Sequence, residues 1–393
     1  MADLYWVGGS GSISDNANHW AATSGGAAGA ALPDVGDNIF FDANSGAGTV
    51  FADVAMTVNN MDQTGDSVSV YGKVGGGLVS VRGDAVISGN STSTSLFFKF
   101  DTQANTTSVL TSLSGTSASG HNAIYGGAIN VNAAGTVKLG AGLGIGAGAS
   151  GWRVQNGSLD TNGQTLIVAS SFVVDNTANE KFILNNSLLK VNGNLTFSGT
   201  VATIDTSTGT IQLASNGDQV LLGGNTIERM EILGGLKANH TDFNDQGWTI
   251  NYLYISNDAS GRGVGFEPSA TENNITTLEA VGEEGNLIEF TYVTPGSAGT
   301  YKLCVTNSIV SYLDVEYLDA SCGNPVANPN GTDGGNNTNV LFGEGAVWFE
   351  GIKGAHNVKP KMDEIYIPNA QLMKVASNKP QISIIETKKP LLA

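Results

Sequence analysis

The sequence predicts an all-β chain wound as a right-handed parallel β-helix (a β-solenoid), with an N-terminal aromatic cap and an extended C-terminal arm. Three observations lead there. First, between Trp152 and Ile255 a series of short β-rich runs recurs: TLIV from Thr165, LLKV from Leu188, TIQL from Thr210, RMEIL from Arg229 and INYLYI from Ile250. By subtraction their starts lie 23, 22, 19 and 21 residues apart. A second series, from Phe172, Leu195 and Val220, runs between them. A drifting period of roughly 20 residues with more than one strand per period marks a coil of β-rungs. Second, the runs are separated by Asn, Gly, Asp, Ser and Thr, the residues that turn a corner through positive φ or local side-chain hydrogen bonds. Third, helix signals are nearly absent; only Ala370–Ala376 would support a turn or two.

Each run is too short to bury a face alone. Stacked on the run one coil below, it gains a parallel ladder and an apolar column. Alternation then points Leu166, Val168, Leu189 and Val191 inward together. Asn156-Gly157, Asn162-Gly163, Asn192-Gly193 and Asn216-Gly217 fit the corners. Asn-Gly is also a hairpin signal, so an antiparallel sandwich or a propeller is the competing architecture.

Composition agrees with a solenoid. Of 393 residues, 53 are Gly and only 13% are charged, against roughly 25% charged in ordinary domains. A chain this long exceeds the size at which one compact core stops growing, about 250–300 residues. A solenoid grows along one axis instead.

From the start, three segments are expected: a cap over residues 1–45, a solenoid body over 46–343 and a docking arm over 344–393. The first holds Trp6, Trp20, Phe40 and Phe41, the aromatics expected to cover the open end of the coil; a sugar platform on the two tryptophans is the lesser reading. In the body, TVFADVAMTV, SVSVY, LVSVRG, AVISG and SLFFKF read as early rungs. The run GLGIGAG carries no nucleotide-loop meaning, because no helix follows it to face a phosphate. Farther on, LIEFTYVTPGSAGTYKLCVTNSIVSYLDVEYLDAS alternates strongly and offers Ile309 and Tyr312 to the core. The last 50 residues hold four prolines between short apolar runs, the pattern of an extended chain whose β-prone pieces want a partner edge.

Charge divides the chain. Residues 1–351 carry 11 Lys/Arg against 32 Asp/Glu, and 352–393 carry 7 Lys against 3 acids, so an acidic body (−21) bears a basic end (+4). The body is therefore not expected to bind nucleic acid. No run reaches the about 20 apolar residues that span a bilayer, so no membrane insertion is expected, and MADLYWVGG does not read as an export signal. Cys304 and Cys322, 18 residues apart, read as two free thiols in a reducing compartment.

Chemistry-bearing motifs are sparse. There is no GxSxG elbow and no HExxH. His19, His121, His240 and His356 lack metal-ligand spacing. Asp333 sits among Asn and Gly without the regular acids of a calcium loop. Late-rung acids include Asp314 with Glu316 on one strand face, Asp319, Glu279, Glu283 and Glu284. Glycoside hydrolysis would need two carboxylates about 5–10 Å apart, and none of these is nominated as a catalytic pair. The expectation is a protein with no enzymatic activity, no metal and no cofactor.

Four stretches resemble the repetitive β-helical virion proteins of tailed bacteriophages, which have bacterial relatives. These are YWVGGSGSISDNANHW with PDVGDNIFFDANS, GSLDTNGQTLIVASSFV, GNLIEFTYVTPGSAGTYKL with SYLDVEYLDAS, and NGTDGGNNTNVLF. Ile13 stands where that family more often has Trp. The resemblance covers about residues 1–342. It implies a structural protein on a virus particle, made and assembled in the host cytoplasm, with homotrimers as the commonest arrangement and other virion proteins of capsid or tail as partners. Decoration of the capsid, as a cement or head-fibre protein, is the first assignment. The alternative is a tail fibre or tailspike that binds, or also cleaves, a host surface polysaccharide. Release of reducing ends from host capsule or lipopolysaccharide would separate the two. On the first assignment the arm is the anchor: Lys353, Lys359, Lys361, Lys379, Lys388 and Lys389 supply its charge, and Ile365, Ile367, Leu372, Val375 and Ile384 its apolar contacts.

Overall fold

The computed structural model describes residues 1–64, 67–72, 79–87, 98–102, 106–112, 129–132, 135–145, 152–155, 157–175, 181–198, 203–205, 208–214, 219–222, 226–233, 241–243, 247–257, 262–268, 271–292, 299–343, 372–375 and 382–385. Among them the chain is a parallel β-solenoid; the one helix is the single turn Asn16–His19.

Among the described residues three long sheets run along it, parallel except for one antiparallel pair at the start of sheet I. Sheet I has ten strands, sheet II nine and sheet III thirteen. The two recurrent series of the sequence fall into separate sheets. The TLIV series becomes the Leu166–Val168, Leu188–Val191, Thr210–Leu213, Thr226–Ile232 and Thr249–Ile255 strands of sheet II. The second series becomes the Phe172–Asp175, Leu195–Ser198 and Gln219–Leu222 strands of sheet III. The register aligns equivalent positions. Leu166 lies beside Leu189, then Ile211, Met230, Leu253 and Leu278. A second column runs Val168, Val191, Leu213, Ile232, Ile255 and Ala280. All twelve side chains are buried, each worth about 1.5–3 kcal/mol for the larger aliphatics. The inward setting of Leu166, Val168, Leu189 and Val191 is thus as the alternation predicts.

Sheet I was less visible in the sequence. Its later strands are the three-residue pieces Ser158–Asp160, Lys181–Ile183 and Thr203–Asp205. Past residue 205 the coil simplifies. In Thr226–Ile232 both Ile227 and Met230 are buried, three residues apart, with Glu228 and Arg229 outward between them. Strict alternation would put inward residues two apart, so the strand bends here. The same step recurs at Ile250 and Leu253, and at Ile275 and Leu278. One bent strand thus does what two did in earlier coils.

Corners use the expected residues in two ways. Asn162 (φ 52°) and Gly163 (φ 76°) take the left-handed region, and the Asn162 amide donates to Leu139 O at 3.1 Å on the coil below. At Asn192-Gly193 the need is space: a Cβ on Gly193 would lie 2.5 Å from the Ser170 carbonyl carbon. Asn156 and Asn216-Gly217 lie outside the described residues. Leu143–Ile145, within GLGIGAG, is a buried strand.

Four expectations are corrected. Cys304 and Cys322 are not free thiols; they form a disulfide, with Cα atoms 4.9 Å apart. Their 18-residue separation is close to one coil, so winding alone sets them side by side. Ile309 is not in the core but 55% exposed: the bend in Tyr301–Ser311 turns Val305 and Val310 inward, sets Ser308 beside the buried Leu278, and leaves Thr306, Asn307 and Ile309 exposed. Tyr312 takes a left-handed φ of 54° and is only half-buried. Within Ala370–Ala376, Leu372–Val375 is a strand, not a helical turn.

Candidate functional site: the two ends and the outward ridge

At the N-terminal end, Asp3–Trp6 pairs in parallel with Asn38–Phe40 and antiparallel with Trp20–Ala21, which closes sheet I. Residues 1–45 are therefore continuous with the sheet that the later coils extend. Trp6 and Trp20 are fully buried and meet edge to face at 5.2 Å. Phe41 approaches both at 6.1 Å. Each indole N–H is satisfied: Trp6 donates to Gly9 O at 2.7 Å and Trp20 to Ile13 O at 2.9 Å. His19 stacks on Trp6 at 4.5 Å. Buried, hydrogen-bonded indoles do not form an exposed sugar platform. Phe40 departs from the other three: it lies half-buried on the opposite side of its strand, stacked on Tyr5 at 4.8 Å.

The opposite end is built differently. Val326–Asn328 pairs with Val340–Phe342, and Thr332–Gly335 pairs with Leu313–Glu316. Asparagine side chains stand in for ladder partners. Asn328 is fully buried; its Oδ1 accepts from Leu313 N at 3.1 Å and its Nδ2 donates to Leu313 O at 3.0 Å. Asn337 does the same across two residues, accepting from Leu318 N at 2.9 Å and donating to Val315 O at 2.8 Å. Asn339 donates to Ala320 O at 2.9 Å. The TDGGNNT stretch is thus a clamp on the coil beneath. Asp333 accepts from Gly335 N and from Asn337 Nδ2, so its carboxylate serves the turn. The Cys304–Cys322 disulfide ties the same region to the last long strand, Tyr301–Ser311. Even so, Val340, Leu341 and Phe342 stay half-exposed, although Val340 and Phe342 pack on the core.

Of the arm residues expected to bind a partner, Lys353, Lys359, Lys361, Ile365, Ile367, Lys379, Lys388 and Lys389 lie outside the described residues. Leu372, Val375 and Ile384 fall in a two-stranded antiparallel hairpin, Leu372–Val375 with Ile382–Ile385, in which Leu372 faces Ile385, Val375 faces Ile382 and Met373 faces Ile384. These segments pair with each other instead of lying as single extended strands.

Between the ends, the bends of sheet II make an outward ridge. Arg229 Nε donates to Glu231 at 2.6 Å, Gln212 Nε2 donates to the other Glu231 oxygen at 2.8 Å, and the Arg229 guanidinium lies 4.3 Å from the Tyr252 ring centre. The Tyr252 phenol donates to Glu279. That hydrogen bond, with lesser desolvation, raises the Tyr252 pKa; the Glu231 partner raises that of Arg229. Tyr301 is raised well above the usual phenol value, first by burial and then by nearby Glu316. Asp319 is lowered by the Ser321 hydroxyl. Asp314 and Glu316 do share one half-buried strand face, as the alternation predicts. Glu279 and Glu231 stitch neighbouring coils together. Glu283 sits in a tight turn bridged to Asn286.

No helix among the described residues is long and apolar enough to cross a membrane. Compared with protein-family models, with curated proteins and with solved structures, the chain gives no match.

Proposed function

We propose that this chain is a non-enzymatic structural protein of a virus particle, displayed on the particle surface and attached through its C-terminal arm, with capsid decoration the leading assignment. The observation that carries the reading is the difference between the two ends. The N-terminal end finishes in fully buried tryptophans, whereas the C-terminal end finishes in a half-exposed strand from which the basic arm leaves. A solenoid end whose apolar rows are only partly covered favours contact with another surface. An isolated two-stranded hairpin such as Leu372–Val375 with Ile382–Ile385 is marginal in water, so the arm gains most by docking. Several arms on one oligomer would add avidity, which fits the trimer implied by the resemblance. The disulfide suits a protein that works outside a reducing cytoplasm, as a released particle does.

The test is truncation after Gly343. Full-length and truncated chains are offered to particles lacking the protein, and occupancy is read by gel and by electron microscopy. The truncated chain should keep its β-sheet circular dichroism and lose incorporation. Normal occupancy without the arm overturns the assignment.

A further inference from the structure

We propose that, once the disulfide is reduced, Cys304, Cys322 and Glu272 bind one thiophilic divalent cation, zinc being the best-matched ion. The two sulfurs and a Glu272 carboxylate oxygen all lie within 4.8 Å of one another. Three features of the molecule support the site. The donors come from separate coils: Glu272 opens Glu272–Val281, Cys304 lies one coil on in Tyr301–Ser311, and Cys322 follows Leu318–Asp319 one coil later. The solenoid holds the three backbone positions together, with the cysteine Cα atoms 4.9 Å apart, so reduction leaves the two thiols side by side next to Glu272. The donor set is also right. Two thiolates and a carboxylate are three protein ligands that leave a fourth tetrahedral position for water, and thiolate donors select zinc-like ions over magnesium or calcium. Finally, the site can adjust. A tetrahedral thiolate pair sets its sulfurs about 3.8 Å apart at Zn–S distances of about 2.3 Å. Cys322 and Glu272 are both exposed, which leaves their side chains room to rotate around the buried Cys304. Lys302, the register partner of Glu272, adds one positive charge beside a donor set of three negative charges.

The site then alternates between two cross-links at one place. With thiols reduced, zinc bridges the three coils. A disulfide oxidant RS–SR takes two electrons from the two thiolates; the S–S bond of the protein forms, two RS⁻ leave, and Zn²⁺ is released. Either way the terminal coil stays tied to Tyr301–Ser311. The site does not depend on how, or whether, the arm attaches.

The test uses the untagged full chain, reduced with a non-thiol phosphine, then given Zn²⁺ or Co²⁺. Reduced protein should hold one equivalent of zinc after gel filtration, and oxidised protein none. Cobalt should give thiolate-to-metal charge-transfer absorption with an intense tetrahedral visible band. Cys322→Ser should abolish both signals. Glu272→Gln, which keeps both thiols and should still form the disulfide, should weaken zinc binding about tenfold or more. If Cys322→Ser fails to fold, the Glu272→Gln result decides. Zinc-free reduced protein, a weak octahedral cobalt spectrum, or unchanged affinity in Glu272→Gln each overturns the proposal.

Discussion

Asn328→Ala should loosen the last coils of the solenoid and little else. The wild-type side chain is wholly buried and satisfies both backbone groups of Leu313, at 3.1 and 3.0 Å. Removing it leaves a buried N–H and a buried C=O without those partners. Each such orphan costs about 1–3 kcal/mol, so the expected loss is about 2–6 kcal/mol. In a solenoid, stability is close to a sum of nearest-neighbour terms, so the loss should be local. A loss of about 2.8 kcal/mol raises the local opening constant about a hundredfold. Amide hydrogen exchange reads this directly: protection should fall at Leu313 through Glu316 and from Val326 onward, while the Leu166–Leu253 column keeps wild-type protection. Asn328→Asp sharpens the test. It retains an acceptor for Leu313 N but sets a carboxylate oxygen against Leu313 O, so it should be at least as damaging as Ala at neutral pH. Wild-type exchange in both variants would refute the clamp. Uniform loss of protection along the chain would refute nearest-neighbour coupling.

Two more outcomes are expected. Removing the disulfide, by Cys304→Ser with Cys322→Ser, opens an 18-residue loop and should cost about 3 kcal/mol, seen as earlier loss of exchange protection around Ala320–Asn324 in metal-free buffer. Tyr252 should ionise above the ordinary phenol value because its proton is held by Glu279. A raised folded-state pKa means the contribution is complete below the unfolded value of 10.0 and fades as pH climbs through the folded one; Glu279→Gln should move this transition down, read by tyrosinate absorbance, and no movement would remove Glu279 as the cause.

What the sequence revealed was the part of the fold governed by periodicity. The Leu166 and Val168 columns recur at a spacing set by coil length, and together they give each strand two inward aliphatics, enough to register as alternation. The later strands of sheet I stay hidden because SLD, KFI and TID each offer three residues, too few to display a period. The bend in sheet II escaped for the opposite reason: inward residues three apart, as at Ile227 and Met230, mimic broken alternation, and that misplaced Ile309. Distance along the chain hides the disulfide. In a coil of roughly 20 residues, a separation of 18 is adjacency, and that signal was present. Asn328, Asn337 and Asn339 were hidden among many corner asparagines, since composition alone cannot tell a turn residue from a side chain that replaces a ladder partner.

The reinforcement falls where a coil most needs it. An inner coil has a neighbour on each side; a terminal coil has one, so it carries about half the interface free energy and frays first. The two ends answer this with different chemistry. At the start, burial of Trp6, Trp20 and Phe41 replaces the missing neighbour with apolar contact. At the finish, among the described residues, a covalent bond together with paired asparagine amides takes that place. Cross-links of this kind hold the coil without covering it, so Val340, Leu341 and Phe342 keep part of their surface available. A pull on residue 344 would be transmitted through Val340–Phe342 to Val326–Asn328, and from there through Asn328 to Leu313 and through the Asn324 backbone to Val305, beside Cys304. A reinforced terminal coil suits the attachment end we propose, and that proposal directs the search for a partner there.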